Sequence, residues 1–360
     1  TLGAYGSSYS SDDLWSLGNF RPMEVVANGN FLSANFSCSD LAAAGSGSGC
    51  WNYDIKDSGT THSYAVYLAD TIHVTDKFKI DGAIRYQHNS TKFINYANAA
   101  GTTYPDLTAP AQNISDTRHK VSWTVGLDYR IQNSIGVWAR VSRGYFFPNF
   151  DDYRNAGQNG TPLTAQLTSY EGGLKLQGSG YGLFATVFHN RYRGSSNGAV
   201  FGGVPLSNDD INATGLQLEG NVSIYDGFSV RGNATFQKSK IVASTAPGVI
   251  GNEFQRQPNV QLHISPDYKF TVGGVKVDLF GTYGLVGRRY SDDGNTVVLP
   301  SYAKVDLGAT VDVSGIQLGV FADNLNNSHG LTEGDPRAIS SANARPIFGR
   351  SFKFTIGYKF

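Results

Sequence analysis

Methionine occurs once in this chain of 360 residues and cysteine only twice. Net charge is also missing, because 29 basic and 29 acidic side chains cancel. Without a basic excess to neutralise phosphates, nucleic acid is excluded as a partner. No apolar run approaches the roughly 18 residues that a membrane-crossing helix needs. That absence leaves membrane strands open, since they alternate and never build such a run. The chain begins at Thr1, with neither Met nor a signal-type segment, and is read as processed or as a piece of something longer.

Glycine and aromatics are plentiful, with 43 Gly, 20 Tyr and 21 Phe. Few helix formers accompany them, which points to an all-β chain. A large soluble sandwich or solenoid satisfies composition alone, so the argument turns on pattern. In the terminal segment, Phe352, Phe354, Ile356, Tyr358 and Phe360 share one parity, while Ser351, Lys353, Thr355 and Lys359 share the other. Period-two alternation makes a strand with one apolar and one wet face. The same pattern recurs at Val121 to Ile131, Leu216 to Ile224, Val275 to Leu285 and Val305 to Val313. These runs, about 10–13 residues long, are twice the usual globular strand and suit a tilted membrane-spanning one.

About fourteen such strands are predicted. Their connections fall into two sets. Tiny turns are expected at Thr75-Asp76, Gln132-Asn133, Ser179, Asp226, Val272 and Ser314, and long loops near 10–62, 91–118, 145–165, 193–211, 241–257, 288–300 and 328–348. Short turns on one rim and long loops on the other belong to an outer-membrane barrel. Residues 1–360 are therefore read as one transmembrane antiparallel β-barrel segment. Apolar residues should face lipid, and Arg85, Asp128, Arg130, Arg140, Glu219, Arg231, Lys276, Asp278 and Asp306 should line a wet lumen. Tyr64, Tyr86, Trp123 and Tyr358 are candidates for interfacial girdles.

The terminal strand closing on Phe360 is similar to the last strand of outer-membrane proteins. Ser142-Arg143-Gly144-Tyr145-Phe146-Phe147-Pro148-Asn149-Phe150, the Tyr170-Glu171 strand, Gly215-Leu216-Gln217-Leu218-Glu219-Gly220, Leu299-Pro300-Ser301-Tyr302 running to Asp306, Asn324-Leu325-Asn326-Asn327 and Arg345-Pro346 together resemble TonB-dependent outer-membrane receptors in order and spacing. The resemblance implies energised uptake of a scarce solute, such as a siderophore, carbohydrate or other nutrient, across the bacterial outer membrane. It also implies a 22-stranded barrel with a plug domain, of which this chain shows no plug and only fourteen strands. The implied partners are membrane lipid and lipopolysaccharide, an N-terminal segment carrying the plug and early strands, the TonB complex through that segment, and a small-molecule ligand. The alternative is a complete 14-stranded passive channel; an outer-membrane hydrolase is a further one.

No HExxH is present, and the one GxSxG string, Gly194 to Gly198, is not read as a nucleophile elbow, so no catalytic, cofactor or metal site is assigned. Acidic pairs at Asp12-Asp13, Asp151-Asp152, Asp209-Asp210 and Asp292-Asp293 suit either hard cations or solvated loops. Loop aromatics beside Asn and Arg suit either a ligand or loop packing. The candidate ligand residues are Phe147, Asn149, Asp151, Arg154, Arg289 and Tyr290, which combine stacking faces with hydrogen-bonding groups. Cys38 and Cys50 lie in a Ser/Gly/Ala-rich stretch without the further ligands of a zinc site. A disulfide is expected, with two free thiols as the alternative. The bond should stabilise by roughly 3 kcal/mol in the chain-entropy model. Thiol titration of the unreduced, denatured protein should find none; two reactive thiols would refute the pairing.

Overall fold

The computed structural model describes residues 1–20, 51–96, 112–156, 162–197, 207–335 and 343–358, and Cys38 and Cys50 lie outside them. The first strands are β1 (Leu2–Phe20), β2 (Trp51–His73), β3 (Phe78–Asn95), β4 (Gln112–Gln132) and β5 (Ile135–Phe146). A short helix, α1 (Phe150–Ala156), follows. Then come β6 (Ala165–Gly178), β7 (Tyr181–Asn197), β8 (Ser207–Tyr225), β9 (Phe228–Ser244), β10 (Val260–Val272) and β11 (Val275–Val286). The last are β12 (Arg289–Tyr290), β13 (Val298–Leu299), β14 (Tyr302–Val313), β15 (Ile316–Asp323), β16 (Leu331–Asp335), β17 (Asn343–Pro346) and β18 (Ser351–Tyr358).

Fourteen of these strands make one sheet in the order β1 through β11, then β14, β15 and β18. Every pairing is antiparallel. The remaining four strands form two small hairpins, β12–β13 and β16–β17, within long connections. Among the described residues β1 and β18 are both edge strands, with no ladder between them.

The tight turns lie at 74–77, 133–134, 179–180, 226–227, 273–274 and 314–315, all on one rim. Their chemistry is local. Gly273 and Gly274, and likewise Ser314 and Gly315, take positive φ in pairs, as two-residue hairpins that follow the strand twist require. At Gly227 the Lys269 carbonyl oxygen lies 2.0 Å from where a Cβ would stand, so only glycine fits. The long connections occupy the other rim.

Several strands run further toward the long loops than alternation indicates. β2 begins at Trp51 rather than near 63, β3 continues to Asn95, and β4 begins at Gln112 rather than near 119. Above the lipid both faces meet water, so the apolar parity lapses while the hydrogen-bond ladder continues.

Parity assigns the two faces. Leu127, Leu279 and Leu307 point outward at 44%, 42% and 49% exposure. Their neighbours Asp128, Asp278 and Asp306 turn inward and are half-buried. Inward charges find partners: Arg140 donates to Asp81 at 2.7 Å, Lys175 pairs with Asp128, and Lys304 lies 3.0 Å from Asp306. The outer face carries Val66, Leu68, Val125, Val187, Phe354 and Ile356 in the open, the reverse of a soluble fold. Among the described residues the only buried apolar cluster sits at the long-loop rim. Leu127→Arg should therefore cost about 2–4 kcal/mol near the midplane. Asp128→Asn, at a partly exposed ion pair, should cost less than about 1 kcal/mol. Urea unfolding in lipid vesicles measures both; equal costs would contradict the face assignment.

Candidate functional site

The first group of candidate residues is built around α1. Asn149 caps the helix: its Oδ1 accepts from Asp152 N at 2.9 Å, and its own N–H donates to Asp152 Oδ2 at 2.9 Å. This reciprocal pair satisfies two of the helix's orphan donors. Phe150 and Tyr153, three apart, share a face and stack on Phe93 of β3, with ring centroids at 5.7 and 6.0 Å. Tyr9 of β1 stacks on Phe150 at 5.5 Å. The Phe150 ring lies 2.6 Å from where a Cβ on Gly59 would stand, so that glycine admits the helix. Phe93, Tyr9 and Asp57 share the inward parity of Arg85 through the strand register, so α1 folds back over the inner face of β1 to β4.

Arg154 ties the helix down. Its guanidinium meets Asp57 at 2.5 Å, Asp151 at 2.6 Å and Asp13 at 3.3 Å. The Asp57 side chain is wholly buried and its Oδ1 has no hydrogen-bond partner among the described residues. Burial raises its pKa above the ordinary aspartate value, while Arg154 opposes that rise. Tyr153 Oη donates to Asp116 Oδ2 at 2.8 Å, and Arg118 Nε donates to the same oxygen at 2.6 Å. Burial, then the bond to Asp116, raises the Tyr153 phenol far above its ordinary pKa. Arg118 also reaches Thr164 Oγ1 at 2.6 Å and the Pro162 carbonyl at 2.5 Å, fixing the approach to β6.

Arg289 and Tyr290 stand elsewhere, after β11. From β5 to β11 is six strand spacings, roughly 30 Å along the sheet. Arg289 is 4% exposed and donates to the carbonyls of Leu331 at 2.5 Å and Thr332 at 3.2 Å. Its Nη1 has no partner among the described residues, and burial lowers its pKa. Arg288 stacks over the Tyr290 ring at 4.7 Å. Asn295, in the left-handed region at φ 56°, exchanges bonds of 2.8 Å with the Glu253 backbone. Glu333 joins Arg256 at 2.9 Å and Arg345 at 3.1 Å. Three connections thus form one layer.

The structure brings Phe147, Asn149, Asp151 and Arg154 onto one helix and its lead-in, and Arg289 and Tyr290 onto a separate layer. Asn149 and Asp151 are exposed, and Phe147 and Tyr290 are half-buried, while both arginines are largely engaged. The acidic pairs are absorbed into the fold. Asp292 accepts from Thr296 N at 3.1 Å and Val297 N at 2.8 Å, and Asp210 accepts from Gly194 N at 3.0 Å. Among the described residues, no group of three or more His, Cys, Asp or Glu is placed to hold a metal ion. Asp57, Asp116 and Arg118 are additions that strand patterning alone does not reveal. The Asn149-x-x-Asp152 box was a readable sign of the helix.

An outward apolar band, an inward polar face with paired charges and a rim of long, interlocked loops define the wall of a transmembrane β-barrel. The chain belongs to the family described as TonB dependent receptor-like, beta-barrel, whose model matches residues 3–325. It is 25% identical over 305 residues to the pesticin receptor of Yersinia enterocolitica, a match spanning 81% of this chain and 43% of that protein. The ferrioxamine receptor of the same organism is 24% identical, over 82% of this chain and 39% of its own length. The chain thus spans less than half the length of these curated relatives. Among solved structures, the siderophore receptor PiuA from Acinetobacter baumannii superposes with a TM-score of 0.73 at 18% identity, covering all of this chain and 52% of its own. The family is one of transport receptors and not of enzymes.

Arg154→Ala should release α1. Removing one partner of a buried pair costs about 3–5 kcal/mol. The variant should recover as pH falls: without Arg154 the Asp57 pKa climbs further, so the buried charge penalises the docked helix at pH 7 and vanishes once Asp57 is protonated. Hydrogen exchange of the α1 amides, corrected for intrinsic rates at each pH, reads both effects. Equal protection in variant and parent at pH 7 would show that Arg154 does not hold the helix.

Proposed function

We propose that this chain forms the wall and outer rim of an outer-membrane receptor that imports an iron chelate in a TonB-dependent cycle. The observation that carries this reading is the family match over residues 3–325 of a sheet with loops massed on one rim. The relative named for ferrioxamine, and the fold shared with the ferric yersiniabactin uptake receptor FyuA from Yersinia pestis, favour iron chelates over carbohydrates as cargo. The open sheet supports a companion segment. Edges β1 and β18 would each leave a row of backbone groups bare in hydrocarbon, at several kcal/mol per group. Further strands, eight in a 22-stranded barrel, remove that cost, and the segment that carries them also carries the plug and its link to TonB. A passive fourteen-stranded channel would need β1 and β18 to pair.

Cargo approaches from the long-loop rim. Phe147, Asn149, Asp151 and Tyr290 offer it stacking and hydrogen-bonding groups, while Arg154 and Arg289 act as positioning residues that hold those surfaces in place. A deletion strain should grow poorly under iron starvation and normally on single carbon sources. The opposite result selects a nutrient other than iron. Alanine at Phe147, Asn149, Asp151 and Tyr290 together should weaken chelate binding by an order of magnitude or more, at about 0.5–1.5 kcal/mol per aromatic or hydrogen-bonding contact. Unaltered binding and uptake would remove these residues from the site and leave the barrel untouched.

A further inference from the structure

Antiparallel register brings together histidines that no local spacing connects. His88 of β3 and His119 of β4 stand directly opposite each other. They share the outward parity of Ile84 and Val121, both exposed on the lipid side. The rows of the sheet fix their depth. Below the pair lie Leu68–Ile84–Trp123 and Val66–Tyr86–Val121, all apolar or aromatic. Its own row is Tyr64–His88–His119. Above it, toward the long loops, come His62–Ser90–Thr117 and Thr60–Lys92–Ser115, with no apolar side chain. The pair therefore stands at the upper margin of the apolar band, within reach of water. His119 is exposed and His88 half-buried.

The two imidazoles lie face to face, with ring centroids 5.8 Å apart and planes 15° apart. Tyr86 also stacks on His119, at 6.5 Å. Among the described residues neither ring makes a side-chain hydrogen bond. His189 and His263 differ, since their ring nitrogens meet Thr214 Oγ1 at 2.7 Å and Ser265 Oγ at 3.0 Å. Residues directly opposed across antiparallel strands hold their Cβ atoms about 4.5–5.5 Å apart. A metal–imidazole bond is about 2.0–2.1 Å long. Rotation about χ2, a soft torsion in histidine, turns one nitrogen of each ring toward a common point. His62 stands one row higher and diagonal to His88, and no set of three such ligands forms among the described residues.

We infer that His88 and His119 form a two-nitrogen clamp for a divalent transition-metal ion, with Cu²⁺ held in preference to Ni²⁺ and Zn²⁺. The donor set selects the ion. Imidazole suits all three metals, and at equal geometry Cu²⁺ binds nitrogen tightest. Hard Ca²⁺ and Mg²⁺ need oxygen ligands, and these rows contain no carboxylate. Two protein ligands leave the other positions to water, which fits tetragonal Cu²⁺ better than a closed tetrahedral zinc site. The clamp faces away from the lumen, so its ion is not the cargo. The inference stands whatever the receptor imports.

The test uses the whole receptor, purified in mild detergent without a metal-affinity step and stripped with a chelator. Cu²⁺ is then titrated in while electron paramagnetic resonance counts the nitrogens bound to it. The native receptor should show copper on two imidazole nitrogens. Joining two ligands on one scaffold strengthens binding about 100-fold over either alone. His88→Ala or His119→Ala should therefore weaken Cu²⁺ by about 100-fold and abolish the two-nitrogen signal. His88→Phe combined with His119→Phe keeps a stacked ring pair and removes the nitrogens. It should migrate as a folded barrel on unheated gels and also lose the signal, which separates ligation from packing. His189→Ala should change nothing, and excess Ca²⁺ should displace no copper. Two-nitrogen copper persisting in the folded single or double variants would overturn the clamp and leave the pair as part of the aromatic margin. So would a native receptor without that signal, or copper displaced by Ca²⁺ at equal concentration.

Discussion

Hydrocarbon offers a backbone amide nothing to bond, and that constraint organises everything else in this chain. Each strand inside the sheet divides its donors and its acceptors between its two neighbours, so antiparallel pairing runs from strand to strand where lipid is outside. Irregular backbone is relegated to where water reaches: six minimal turns on one rim, long connections on the other. Side chains then follow from the pleat. One parity meets lipid and is largely apolar; the other meets a wet interior, where Arg140 pairs with Asp81 and Lys175 with Asp128.

Most of this architecture is legible in the sequence, because lipid on one side and water on the other write a period of two into each strand. Leu127 beside Asp128, and Leu307 beside Asp306, carry that signal without ambiguity. It weakens where the strands rise into water. Asp57 to Thr61 has no apolar parity, yet it is paired residue by residue with Asn95 to Thr91. A ladder needs only backbone groups, and backbone groups leave no mark on composition. The short helix escaped strand patterning for a different reason. Seven residues cannot show an amphipathic period, and their stability comes from Phe93 and Asp57 on strands far back in the chain.

The rim chemistry was less readable than the wall. Arg154 and Asp13 are separated by 141 positions, and Arg154 and Asp57 by 97. No local spacing announces such a meeting. The acidic pairs admitted a cation or a solvated loop. They turned out to be turn formers, as at Asp292, or counter-charges, as at Asp13 and Asp151. The six candidate residues shared a chemical character, and character does not report distance: β5 and β11 lie well apart on the sheet.

Every ladder in the large sheet joins strands that follow one another along the chain, apart from the two small hairpins carried in loops. A wall of this kind is severable. Cutting the polypeptide within a long connection removes one covalent bond and no strand pairing, whereas cutting within a two-residue turn splays the ladder it closes. The long-loop rim is therefore where such a chain tolerates being divided, permuted or extended, and a barrel assembled from two polypeptides would keep the same register as one made from a single piece.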